Sequence, residues 1–222
     1  MALVTEAMWA QWDQENFRRH SVHETGHAVV GWLMGHEIEF IRMIGSGTFS
    51  AFVRFDFQPS TLLRHRLQNI AIDLAGPAAE ARLSPPRAEG EMDWLQDLDE
   101  SSLDQGDSDW KSLWELANMG GVSNRKAFGT VRRVAKWVDE LLDIPRVWNL
   151  VEKLAGALKY GETMDGSDVA KLLEKEWGEG GSSSMPVLDL GRKWRRRFEV
   201  TREMMMKQMP QGYMPSIAER DQ

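Results

Sequence analysis

His23-Glu24-Thr25-Gly26-His27 is the stretch of this chain whose residue types and spacing can do chemistry. Two histidines four apart on a helix stand one turn above each other and project from the same face. Both imidazoles can then reach one tetrahedral metal ion at about 2.0–2.1 Å. Glu24 follows the first histidine by one residue, roughly 100° further round the helix, so it lies beside the metal rather than on it. From there it can take a proton from a water that the metal has acidified, the division of labour of a zinc hydrolase. The chain has five histidines in 222 residues, so the pattern arises by chance on the order of 0.01 times in such a sequence. The bland alternative is an amphipathic core helix whose histidines are merely satisfied or exposed. The flanks favour the metal: Val22, Gly26, Val29, Val30 and Leu33 follow helical spacing and form a packing stripe beside the ligand face. Such a stripe holds the helix rigidly, as a pre-organised site requires.

Composition narrows the chemistry. With no cysteine, disulfides, thiolate ligands and thiol nucleophiles are excluded, and any metal falls to His, Asp and Glu. A net charge of −7 gives no reason to expect nucleic acid as a partner. Hydrophobic residues at 42% and charged residues at 27% are ordinary for a globular protein. No apolar run approaches the roughly 18 residues of a membrane span. The N-terminus carries Glu6 and Asp13 and lacks a basic segment followed by an apolar one, so no signal peptide is expected. A cytoplasmic location is the expectation.

Elements must hold the motif in place. Its helix is predicted to run from about Asp13 or Asn16 to Met34, stopped by Gly35. Residues 1–12, with Trp9 and Trp12, read as a short lead-in that caps the core, and His36 as a surface residue. The period then changes. Phe49, Ala51, Val53, Phe55 and Phe57 alternate with Ser50, Phe52, Arg54, Asp56 and Gln58, a half-buried strand. Ile38 to Ile44 is strand-like, and Gly45-Ser46-Gly47 joins the two as a hairpin turn. An exposed edge there can hold an extended peptide by main-chain hydrogen bonds. The residues for that role are Thr48, Phe49, Ser50, Ala51, Phe52 and Val53. An ordinary edge strand packing the motif helix is the plainer reading, and the two are compatible.

Pro59 and Ser60 open a second helix with Leu63, Leu67, Ile70, Leu74 and Ala78 on one face. Pro77 is expected to kink it. Glu80, among Ala78, Ala79 and Ala81, calls for a partner. From Arg87 to Asp109 there are nine carboxylates and one arginine, the mark of a solvated loop. The loop ends at Gly106-Asp107-Ser108-Asp109, the expected start of a helix with Trp110, Leu113, Trp114 and Ala117. After Gly120-Gly121, three amphipathic helices follow, on Val131 to Leu142, on Pro145 to Leu158, and on Val169 to Leu173. The fold class is therefore α+β, mainly helical: a motif helix, a small β-sheet and a C-terminal helical bundle. The domain spans 1–177. Residues 178–222 are a Gly/Ser linker and a tail with the basic run Arg192-Lys193-Trp194-Arg195-Arg196-Arg197 and the triplet Met204-Met205-Met206.

Catalytic zinc usually keeps three protein ligands and one open position. The metzincin pattern would place a glycine at position 30 and a histidine at 33, where this chain has Val30 and Leu33. Glu80, Asp107 and Asp109 compete for the third place, and spacing alone does not choose among them.

Residues His23 to Gly31 resemble the HEAGHA-type segment of the FtsH-like zinc metallopeptidases. Leu74-Ala75-Gly76-Pro77-Ala78-Ala79-Glu80 is similar to that family's GGRAAEE helix, with Pro77 in place of its arginine. Gly106-Asp107-Ser108-Asp109-Trp110 resembles the GASNDL segment, whose aspartate is the third zinc ligand. Leu154-Ala155-Gly156-Ala157-Leu158, Glu162 to Gly166 and Leu172-Leu173 look like the end of the family's peptidase domain. The likeness spans roughly residues 18–175. The first motif is common to many zincins; the ordered set of four is more specific. The resemblance implies zinc on His23, His27 and Asp109, with Glu24 as general base. Asp107 is the fallback ligand, because this segment is one residue shorter than the family's.

Family members usually carry membrane helices and an ATPase that feeds the peptidase. This chain has no membrane span and no Gly-x-x-x-x-Gly-Lys-Ser/Thr phosphate loop. The expectation is a stand-alone, ATP-independent zinc endopeptidase that cuts peptides or unstructured segments, alone, as a homo-oligomer, or supplied by a separate partner protein. The rival reading is an inactive metal-binding or protein-interaction module that retains the peptidase fold.

Overall fold

The computed structural model describes residues 6–44, 50–56, 63–83, 124–178, 186–187, 192 and 196. Its first element is helix α1, Glu6–Leu33, which carries both motif histidines. The helix begins well before the expected start near Asp13, so Trp9 and Trp12 belong to it rather than to a lead-in. The reason is local: residues 6–13 contain neither glycine nor proline, and nothing there breaks a helix. At the other end the stop falls where expected. Gly35 adopts φ +82, and two reversed bonds close the last turn: the Gly35 amide donates to Trp32 at 2.9 Å and the His36 amide to Gly31 at 3.0 Å. Glycine takes that left-handed conformation without a Cβ penalty.

α1 runs through the middle of the molecule. From Ser21 to Gly31 every residue is buried except His23, which is half-buried. A helix covered on all sides has no solvent face. Ser21, Glu24, Thr25 and His27 are therefore polar groups inside the protein, and each needs a partner. Thr25 turns its hydroxyl back onto the helix, donating to the Ser21 carbonyl at 2.8 Å.

The second helix, α2, is Leu63–Ala81. It buries Leu67, Ile70, Leu74 and Ala78 as their spacing predicts, and Ala71, Ala75 and Ala79 as well. α2 is one continuous helix with Pro77 inside it. Its axis comes very near α1 because the contact residues are small. A Cβ on Gly26 would stand 2.5 Å from the Ala75 carbonyl oxygen and 2.8 Å from the Ala79 Cβ. Pro59, Ser60 and the hairpin residues Gly45-Ser46-Gly47 lie outside the described residues.

Among the described residues three antiparallel strands form a sheet, in the order β2-β1-β3. β1, Ile38–Ile44, is central. β2, Ser50–Phe55, pairs with it from Ile38 opposite Phe55 to Ile44 opposite Ser50, with an irregularity between Ile38 and Phe40. Ile41 pairs with Val53 and Met43 with Ala51, and this face packs on the core. Phe55 also enters the core, against the face of α1 where Gly31 has no side chain to obstruct its ring. His36, expected at the surface, is half-buried with its ring 6.4 Å from that of Phe55. The turn after Gly35 folds it back onto β2.

The sheet's third strand, β3, Thr163–Asp165, was not legible in the sequence, since three residues show no period. Helix α3, Asn124–Leu142, packs on α2, and α4, Pro145–Ala157, packs on α1. α5, Gly166–Trp177, covers β1. Arg82, just past α2, donates to the Asp139 carboxylate and to the Asp143 carboxylate, both at 2.7 Å, and so ties α2 to α3. Trp177 of α5 meets Trp32 of α1 edge to face at 6.0 Å, with the Arg146 guanidinium 3.8 Å over its ring. The architecture is α+β and mainly helical. Among the described residues no helix is long and apolar enough to cross a membrane. Pro186 and Val187 are buried, Val187 within the main core. Residues 179–185 and 197–222, with the Met204-Met205-Met206 triplet, lie outside the described residues.

Candidate metal centre

The imidazoles of His23 and His27 face each other edge to face, ring centroids 4.8 Å apart. One turn of helix separates them, as four-residue spacing requires. What α1 alone does not set is which nitrogen of each ring points where. α2 sets that.

His27 Nδ1 lies 2.6 Å from the carbonyl oxygen of Ile72. A carbonyl only accepts, so Nδ1 carries a proton, and in the neutral ring Nε2 is then the electron-pair nitrogen. His23 Nδ1 lies 2.9 Å from Glu80 Oε2. A carboxylate likewise accepts, and His23 takes the same tautomer. Both Nε2 atoms pack against α2 at Gly76. A Cβ on that residue would run into His27 Nε2 and stand 2.7 Å from His23 Nε2. Position 76 therefore holds glycine because two imidazole nitrogens occupy the room a side chain needs. Neutral imidazoles with Nδ1 bonded are the ordinary state of histidine ligands, and such nitrogen donors fit zinc, as they fit copper, iron and nickel.

Glu80 serves this pair from outside it. Its Oε1 accepts from Arg19 Nε at 2.7 Å while Oε2 accepts from His23. Both oxygens meet partners on the Nδ1 side of the His23 ring, away from Nε2. That geometry makes Glu80 a support for the first histidine, not the third ligand it could have been on spacing alone. Burial pushes the Glu80 carboxyl up, but the hydrogen bond from His23 and the Arg19 guanidinium beside it outweigh this and hold the group below its ordinary 4.5. Glu24 is only 7% exposed. It lies on the turn of α1 between the two histidines.

Among the described residues no group of three or more His, Asp or Glu side chains comes together to hold a metal ion. Asp107 and Asp109, together with the helix expected from Trp110 and the Gly120-Gly121 break, lie outside the described residues. So do Thr48 and Phe49. Ser50, Ala51, Phe52 and Val53 form the first part of β2, which among the described residues is an outer strand of the sheet. Phe52 is 37% exposed and stacks edge to face on Phe40, ring centroids 5.6 Å apart.

Three contributors escaped sequence reasoning. Arg19 stands four residues before His23 and so on the same helical face, a signal that was readable. Ile72 acts through its backbone, and Gly76 through having no side chain; neither leaves a trace in residue type that separates it from ordinary packing. No protein-family model matches the chain, and no curated protein matches it either.

Proposed function

We propose that this chain is a zinc-dependent endopeptidase of the FtsH-like kind, acting on peptides or unstructured protein segments without ATP hydrolysis of its own. One observation carries the reading. Two histidines one turn apart have their Nδ1 atoms bonded to acceptors on α2, and their Nε2 atoms converge on Gly76. A pair of core histidines satisfied for stability alone has no need to converge on one glycine.

His23 and His27 would hold the zinc through Nε2, with Asp109, or Asp107 in its place, completing the set. Bound zinc supplies Lewis acidity, which polarises a scissile carbonyl and acidifies an attacking water. Glu24 accepts the proton of that water and passes it to the leaving amine nitrogen. An extended substrate would lie along β2, with main-chain hydrogen bonds from Thr48 to Val53 holding it while neighbouring side chains select. A cytoplasmic location is part of this proposal.

The test is metal analysis beside proteolysis. Purified protein should hold about one zinc per chain and degrade an unfolded substrate such as casein. Glu24→Gln should keep the zinc and lose the cleavage. Equal cleavage by Glu24→Gln and wild type would sink the mechanism. Zinc without cleavage across a broad peptide library would assign the chain a binding role instead.

A further inference from the structure

We infer that Arg19 is a positioning residue for the metal centre, acting through Glu80 to fix the tautomer and orientation of His23 before any metal arrives. The inference rests on the zinc reading for its purpose, and on the Arg19–Glu80–His23 chain of contacts for its geometry. Arg19 Nε and Glu80 Oε1 are 2.7 Å apart, and Glu80 Oε2 and His23 Nδ1 are 2.9 Å apart.

A stability role does not account for Arg19. Its side chain is 58% exposed, and the Glu80 side chain 30%. An ion pair so open to solvent contributes little to folding. What it does is geometric. A carboxylate on a helix surface can rotate and offer either oxygen, or swing out to water. With Oε1 held by Arg19, Oε2 is left directed at the His23 ring. The two histidines differ in this respect. His27 is anchored by a backbone carbonyl of α2, fixed by the helix itself. His23, the more exposed of the two, depends on a side chain that must itself be held. Arg19 is also on α1, one turn before His23, so the guanidinium, the carboxylate and the imidazole span from α1 to α2 and back.

The experiment uses the full chain in metal-free and zinc-loaded forms. Long-range nitrogen–proton NMR of the metal-free protein reads each histidine tautomer, and competition with a chelator reads zinc affinity. In wild type, His23 and His27 should both be Nδ1-protonated. Glu80→Ala should lose zinc affinity by about 10–100-fold, the usual cost of removing such a support. Arg19→Ala should lose about 10-fold, and Arg19→Lys should regain part of it. In Glu80→Ala and Arg19→Ala the His23 ring should become a tautomer mixture while His27 stays as in wild type, which also reports that the variants fold. Arg19→Ala with wild-type affinity and an unaltered His23 ring overturns the inference. Should wild type take up no zinc while its His23 tautomer still depends on Arg19, the positioning role stands and the peptidase reading falls.

Discussion

Gly76 and His27 are fitted to each other across the α1–α2 contact: any Cβ on the glycine would collide with His27 Nε2. The same Cβ would press on His23 Nε2 at 2.7 Å. A single hydrogen atom on α2 thus marks the space that the two imidazoles share. Substituting Gly76→Ala should swing one or both rings away and reduce bound zinc well below one per chain. Overpacking of this kind destabilises by about 1–3 kcal/mol, so urea unfolding should be measured with the metal content. Full zinc occupancy in Gly76→Ala would show that the space is not the metal's.

Glu24 is expected to matter for turnover and not for metal. General-base catalysis contributes typically about 10²–10⁴-fold. Glu24→Gln should lower the rate of casein cleavage by at least about 100-fold at unchanged zinc content. Steady-state proteolysis with matched metal analysis decides it.

Gly26 controls how near α1 comes to α2. A methyl there meets the Ala75 carbonyl at 2.5 Å and Ala79 at 2.8 Å, backbone and methyl that cannot rotate away. Gly26→Ala should force the helices apart, cost about 1–3 kcal/mol, and lengthen the His27–Ile72 bond on which that ring's orientation depends. Loss of the Nδ1-protonated signal of His27, read by NMR, is the check.

Arg82 offers the opposite control, since its contacts hold α2 to α3 away from the histidines. The side chain is 19% exposed and bonded to Asp139 and Asp143. Removing it leaves Asp139 without its charged partner, which costs about 1–3 kcal/mol. Arg82→Ala should lower the melting temperature while zinc affinity and cleavage below that temperature stay as in wild type.

The lowered Glu80 carboxyl sets a sign for acid sensitivity in the metal-free protein. A group more acidic folded than unfolded adds stability above its ordinary 4.5, and that contribution is lost as pH falls through the folded value. Wild-type stability should therefore drop more steeply below about pH 4.5 than that of Glu80→Gln, which has no charge to lose. Thermal melts of both proteins from pH 6 to pH 3 measure the difference.

The amino-acid order determined what is local. The four-residue spacing of His23 and His27 puts them on one face because a helix repeats every 3.6 residues. The apolar periods at Leu67, Ile70 and Leu74, and at Val131, Val134 and Val138, are buried stripes in the folded protein, and Gly35 stops α1 through its own backbone freedom. Tertiary structure decided what depends on two distant segments meeting. Glu80 was visibly in need of a partner, but only packing of α2 on α1 made that partner His23, 57 residues away. Ile72 and Gly76 work through a carbonyl and a missing Cβ, and every residue has the one while many glycines lack the other without consequence. β3 pairs beside β1 because the chain returns there, not because Thr163, Met164 and Asp165 announce a strand. Helical periodicity is a property of neighbours in sequence; the tautomer of a histidine is a property of whatever atom the fold sets against its ring.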